Sequence, residues 1–156
     1  MDRILHLEGI AGEADAKEVK LWQERIARQL PPIIAAAGNS RLVCVENLDY
    51  PFEWCAALID TFKLGVCMDI GHLLKNGFKV DEHLKKFLPL ARIVHLHGLK
   101  DKKDHQALDS IPENLLRQWL NNLAAFRGVL TLEIFNLAGM AGSMQRLQRC
   151  LAADCS

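Results

Sequence analysis

Leu64-Gly65-Val66-Cys67-Met68-Asp69-Ile70-Gly71-His72 is the stretch on which the fold reading turns. An unbroken apolar run leads straight into an aspartate, with a histidine three residues on. Continuous rather than alternating apolar residues fit a parallel strand covered on both faces. The same pattern recurs on both sides of it. Ile4-Leu5-His6-Leu7 and Arg41-Leu42-Val43-Cys44-Val45 precede it, the latter ending in Glu46-Asn47. Arg92-Ile93-Val94-His95-Leu96 and Val129-Leu130-Thr131-Leu132-Glu133-Ile134-Phe135 follow it.

Helical spacing fills the gaps. Asp15 to Ala37 repeats apolar residues at Val19, Trp22, Ile26 and Leu30, and Pro31-Pro32 predicts an interruption or kink. Further helices are expected over Pro51–Phe62, Asp81–Pro89, Pro112–Phe126 and Ser143–Ala152. Gly38-Asn39, Gly77 and Gly128 punctuate passages from helix to strand. Strict alternation of strand and helix predicts an α/β fold with a parallel sheet and right-handed crossovers. No repeat, linker or low-complexity tract divides the chain, so residues 1–156 read as a single domain.

Composition narrows the function classes. Hydrophobic residues make up 50% of the chain and charged residues 24%, ordinary for a globular domain. Lys+Arg and Asp+Glu both count 19. That balance argues against nucleic acid as partner, because phosphate neutralisation needs a basic face. No stretch approaches the roughly 18 apolar residues of a membrane helix. The five cysteines (Cys44, Cys55, Cys67, Cys150 and Cys155) are odd in number and form no CxxC pair. They point to a reducing, cytoplasmic setting without a disulfide framework.

The chemistry lies at the ends of the apolar runs. His6, Glu46, Asp69 with His72, His95 with His97, and Glu133 fall there, and the loop after the fourth run adds Asp104-His105. In a parallel β/α protein the strand C-termini open on one face, where active sites sit. Mixed carboxylates and imidazoles suit a divalent zinc, manganese or iron ion better than a thiolate site or an all-oxygen calcium site. His83, in a lysine-rich helix, is expected at the surface.

Four segments carry a resemblance: Val45-Glu46-Asn47-Leu48, Cys67-Met68-Asp69-Ile70-Gly71-His72, Ile93-Val94-His95-Leu96-His97-Gly98 and Leu132-Glu133-Ile134-Phe135. In order and spacing they resemble the xylose-isomerase-like barrel superfamily, which includes endonuclease IV and sugar isomerases and epimerases. The resemblance implies a (β/α) TIM-type barrel with Glu46, Asp69, His95 and Glu133 as the metal set. His6, His72 and Asp104-His105 stand where the multi-metal phosphoesterase branch carries further ligands. In that branch, however, the Asp and His of the last pair are separated by one residue. The loop from Lys103 to Asp109 is most similar to that of cobamide-remodelling phosphodiesterases. The expected activity is therefore metal-dependent hydrolysis of a small, nucleotide-like phosphodiester, with Glu46, Glu133 and His72 catalytic. A single-metal sugar isomerase or epimerase is the alternative. Glu46 and Glu133 would then work as acid and base.

A complete barrel has eight strands in roughly 250 residues. Five strand runs predict a partial barrel of about five β/α units, whose first strand resembles an internal strand of the family. Its open sheet edges invite pairing with another copy or chain. A non-catalytic fragment that binds a partner through those edges is the third expectation.

Overall fold

The computed structural model describes residues 2–152, so Cys155 lies outside the described residues. Five parallel strands form the main sheet in the order β1-β2-β3-β4-β7. They are β1 (Arg3–Leu5), β2 (Val43–Glu46), β3 (Gly65–Asp69), β4 (Ala91–Leu96) and β7 (Val129–Leu132). Each expected apolar run is thus a strand, and neighbours in sequence are neighbours in the sheet. Between β4 and β7, β5 (Gly98–Lys100) and β6 (Lys103–Gln106) make a small antiparallel hairpin. The helices are α1 (Ala16–Ala37), α2 (Ala56–Phe62), α3 (Ile70–Lys75), α4 (Val80–Phe87), α5 (Glu113–Asn122) and α6 (Leu137–Ala152). Among the described residues, no helix is long and apolar enough to cross a membrane.

The period of two along each strand separates two kinds of surface. Val43, Val45, Val66, Met68, Val94 and Leu96 join the large core beneath the helices, with Trp22, Leu30, Leu84, Leu116 and Trp119. Cys44, Cys67 and Ile93 form a separate small cluster. The alternate positions that continue this second face are Glu46, Asp69 and His95. Sheet register sets Asp69 beside His95 and Glu46 beside Cys67. The helix-side face therefore supplies stability, while the opposite face carries the polar groups at the strand ends.

Two expectations change, and one helix appears that the sequence did not announce. Helix α1 runs through Pro31 and Pro32 without a break. The prolines are solvent-exposed, and the apolar face resumes at once with Ile33 and Ile34 packed against the core. The helix is also well anchored at both ends. Asp15 and Glu18 form a capping box, and Gly38 closes it at φ 74°. His83 is buried rather than superficial. Its ring sits between Phe78 and Phe87, and its Nδ1 lies 3.0 Å from the Lys79 carbonyl. Finally, α3 begins immediately after β3, where Asp69 caps it by accepting the His72 backbone N–H at 2.7 Å. The four described cysteines, Cys44, Cys55, Cys67 and Cys150, are buried and unpaired with one another.

Candidate metal centre

Asp69 is the most constrained group of the site. It is fully buried, and Asn47 grips its backbone from both sides. Asn47 Oδ1 accepts the Asp69 N–H at 2.7 Å, and Asn47 Nδ2 donates to the Asp69 carbonyl at 2.9 Å. One carboxylate oxygen, Oδ1, accepts the His72 backbone N–H and lies 3.0 Å from His97 Nε2. The other, Oδ2, is buried without a hydrogen-bond partner. It lies 3.5 Å from His95 Nδ1 and 3.7 Å from His72 Nδ1.

His95 Nδ1 is the point on which the carboxylates converge. Glu46 Oε1 lies 3.2 Å from it and Glu133 Oε2 3.1 Å. Glu46, Asp69, His95 and Glu133 each offer a ligand atom, and those atoms lie within 4.8 Å of one another. These are the four strand-end residues that the resemblance assigned to a metal. Three carboxylates gathered around one imidazole leave a surplus of buried negative charge, which is costly without a compensating cation. The orphaned Asp69 Oδ2 points to the same need. The donor set of three oxygens and one nitrogen fits a divalent zinc, manganese or iron ion.

The remaining site residues fall into place around this set. His6 Nε2 lies 2.5 Å from Glu46 Oε2, on a half-exposed side chain. His72 directs Nδ1 at the Asn47 carbonyl, 3.1 Å away, and comes within 3.8 Å of Glu46. His105 Nδ1 lies 3.3 Å from the Glu133 carbonyl. Its ring stacks on Phe135, with centroids 4.3 Å apart. Asp104 does not join them: Lys75 takes it at 2.5 Å, and this pairing, the largest cause, holds its carboxyl below the usual range. Among the described residues the expected Asp104–His105 pair therefore splits, with Asp104 held by Lys75 and His105 turned to the Glu133 carbonyl.

Sequence reasoning left His97 out of the ligand set, yet it is fully buried. With His72 and His105 it forms a second group able to hold an ion. The signal was present in His95-Leu96-His97, since residues two apart in an extended chain share a side. Cys67 is also close, with Sγ 3.6 Å from His95 Nε2. Burial pushes its thiol up to about 11, so it serves as a neutral neighbour of the imidazole. A broad concavity lies elsewhere, at the N-terminal ends of the strands around Asp2, Arg92 and Val129. A smaller cleft lined by Glu8, Leu48, Tyr50, His72 and Lys75 opens beside the carboxylates.

No protein-family model matches the chain, and no curated protein sequence matches it significantly. Solved structures do match. A D-tagatose 3-epimerase-like protein superposes with a TM-score of 0.70 at 20% identity, over 96% of this chain and 61% of that one. A xylose isomerase domain protein from Planctomyces limnophilus gives 0.65 at 18% identity, over 94% and 56%. The IOLI protein, solved with a bound zinc atom, gives 0.60 at 15% identity, over 96% and 61%. The chain thus has the fold of xylose-isomerase-like TIM barrels and spans about three fifths of the length of these structures. The cobamide-remodelling specificity gains no support from these neighbours.

Burial works against a charged His95, but the neighbouring Asp69, Cys67 and Glu46 side chains outweigh it and push its pKa up to about 12. The metal-free protein at pH 7 therefore holds a proton on this imidazole, and an ion that takes Nδ1 displaces it. Zinc titration in weak buffer should release about one proton per ion from this group, and affinity should rise by up to about tenfold per pH unit near neutrality. Zinc uptake with no proton release would contradict the assignment of His95 as a ligand.

Proposed function

We propose that this chain is the metal-bearing part of a sugar isomerase or epimerase. The observation that carries the reading is the complete Glu46, Asp69, His95, Glu133 set on the ends of β2, β3, β4 and β7. Likeness to an epimerase-like protein and an isomerase domain protein supports it. The hydrolytic expectation yields first place to this alternative.

A divalent ion held by those four residues would supply Lewis-acid polarisation of a carbonyl oxygen. The protein groups do the proton work. Glu46 and Glu133 come from strands on either side of the Asp69 and His95 strands, so a substrate carbon between them meets a carboxylate from each side. One carboxylate removes the proton on the carbon beside the carbonyl, and the electron pair moves to the carbonyl oxygen. The other, as a carboxylic acid, returns a proton to the resulting enediolate. One proton leaves and one enters, so configuration or carbonyl position changes without net oxidation. His72 and His6 border the same space and can hydrogen-bond substrate hydroxyls.

A phosphodiesterase is the second reading, favoured by one observation. His72, His97 and His105 cluster beside the main set, with ring centroids 4.4 to 5.9 Å apart, as a further ion would require. Against it stand the loss of Asp104 to Lys75 and the partners that already engage His97.

Ketohexoses, tagatose among them, incubated in deuterated water with metal-loaded protein should gain deuterium at the carbon beside the carbonyl. Glu133→Gln should slow that exchange by about 10²-fold or more. Cleavage of bis(p-nitrophenyl) phosphate with no ketose exchange would reverse the order of the two readings. We also propose self-association through the open edges, where Ile4, Val129 and Leu130 are exposed. Leu130→Lys should shift the sedimenting species toward monomer; a wild type that is monomeric at high concentration would contradict this.

A further inference from the structure

The geometry points to His97 as the residue that positions Asp69 for the metal while tying it to the β5–β6 hairpin; this inference rests on the metal-site reading above. His97 lies just past β4 and has no exposed surface. Its two nitrogens face different parts of the fold. Nδ1 accepts the backbone N–H of His105 at 2.9 Å. A nitrogen that accepts carries no proton, so the proton of the neutral ring sits on Nε2, a buried nitrogen without an aligned hydrogen-bond partner that has Asp69 Oδ1 3.0 Å away. Oδ1 accepts the His72 backbone N–H and faces His97 Nε2, and these two neighbours set the carboxylate plane. Its free oxygen, Oδ2, is left facing His95 and His72.

The surroundings are shaped to hold this ring. A Cβ on Gly71 would come 2.0 Å from His97 Cε1, so only glycine admits the imidazole there. Gly98 next to it is pressed as closely, because a Cβ would meet the Ala107 carbonyl at 2.1 Å. His105 adopts φ 56°, an uncommon conformation for a residue with a side chain. It thereby turns its N–H onto His97 and its own ring towards the Glu133 carbonyl and Phe135. The chain Asp69–His97–His105 therefore links a metal ligand to the hairpin and, through it, to the segment bearing Glu133. Outer partners of this kind change metal affinity by about 10–100-fold when removed. The competing arrangement places the proton on Nδ1, directed at the Gly98 carbonyl 3.2 Å away. It would leave Asp69 without this donor.

Two substitutions separate the two contacts, with zinc as the probe. His97→Gln can place an amide N–H near the Nε2 position and keep the contact with Asp69. His97→Asn can place its oxygen near Nδ1 and keep the His105 bond, but it loses Asp69. We expect zinc affinity to fall about 10–100-fold in His97→Asn and to stay within about threefold of wild type in His97→Gln. Equal affinities in both variants, or equal losses that track the melting temperature, would overturn the positioning role. Nitrogen chemical shifts of the wild-type ring give a test that needs no variant. A protonated Nε2 and unprotonated Nδ1, with and without zinc, are expected; the opposite tautomer overturns the inference. A wild type that binds no zinc would sink the metal-site reading itself, whereas zinc binding indifferent to His97→Asn would sink only the role of His97.

Discussion

Three carboxylates converge on one imidazole nitrogen, and most of the architecture can be read as the means of holding them there. Glu46 and Asp69 are almost wholly removed from solvent, and Glu133 is partly shielded. Like charges brought together in a poorly solvated place repel one another unless a cation or proton intervenes. A protonated His95 partly balances them in the metal-free protein, with its pKa pushed up to about 12. A divalent ion would balance them more completely and would use the Asp69 oxygen that the protein itself leaves unsatisfied.

The parallel sheet makes this crowding affordable. Helix-side residues such as Val45, Met68 and Val94 are fully buried in the main core, so strand positions are fixed by packing that owes nothing to the polar groups. The opposite face then delivers Asp69 and His95 side by side and Glu46 beside Cys67, one strand repeat lower, through the register of β2, β3 and β4. Secondary contacts complete the arrangement. Asn47 fixes the backbone of Asp69, and the start of α3 donates to its carboxylate. The hairpin brings His105 to Glu133.

Much of this was legible in the sequence because it follows from local pattern. Continuous apolar runs ending in ligand types located all five parallel strands and the four side chains that converge at their ends. What remained hidden depends on contacts between distant residues. Nothing near Asp104 announces that Lys75, 29 residues away, would claim it. The β5–β6 hairpin lacks both apolar alternation and a glycine turn, since Asp101 and Lys102 adopt the positive φ values themselves. His83 sits among lysines in sequence but between two phenylalanines in space. Pro31-Pro32 failed as a break because the capping box and the resumed apolar face hold α1 on both sides.

The central claim is that Glu46, Asp69, His95 and Glu133 hold one divalent ion. Isothermal titration of chelator-treated protein with zinc, run beside an Asp69→Asn variant, tests it most directly. The account predicts a saturable site near one ion per chain in wild type, and its loss or strong weakening when the unsatisfied carboxylate becomes an amide. Zinc binding of equal strength in both proteins, or none in wild type, would contradict it.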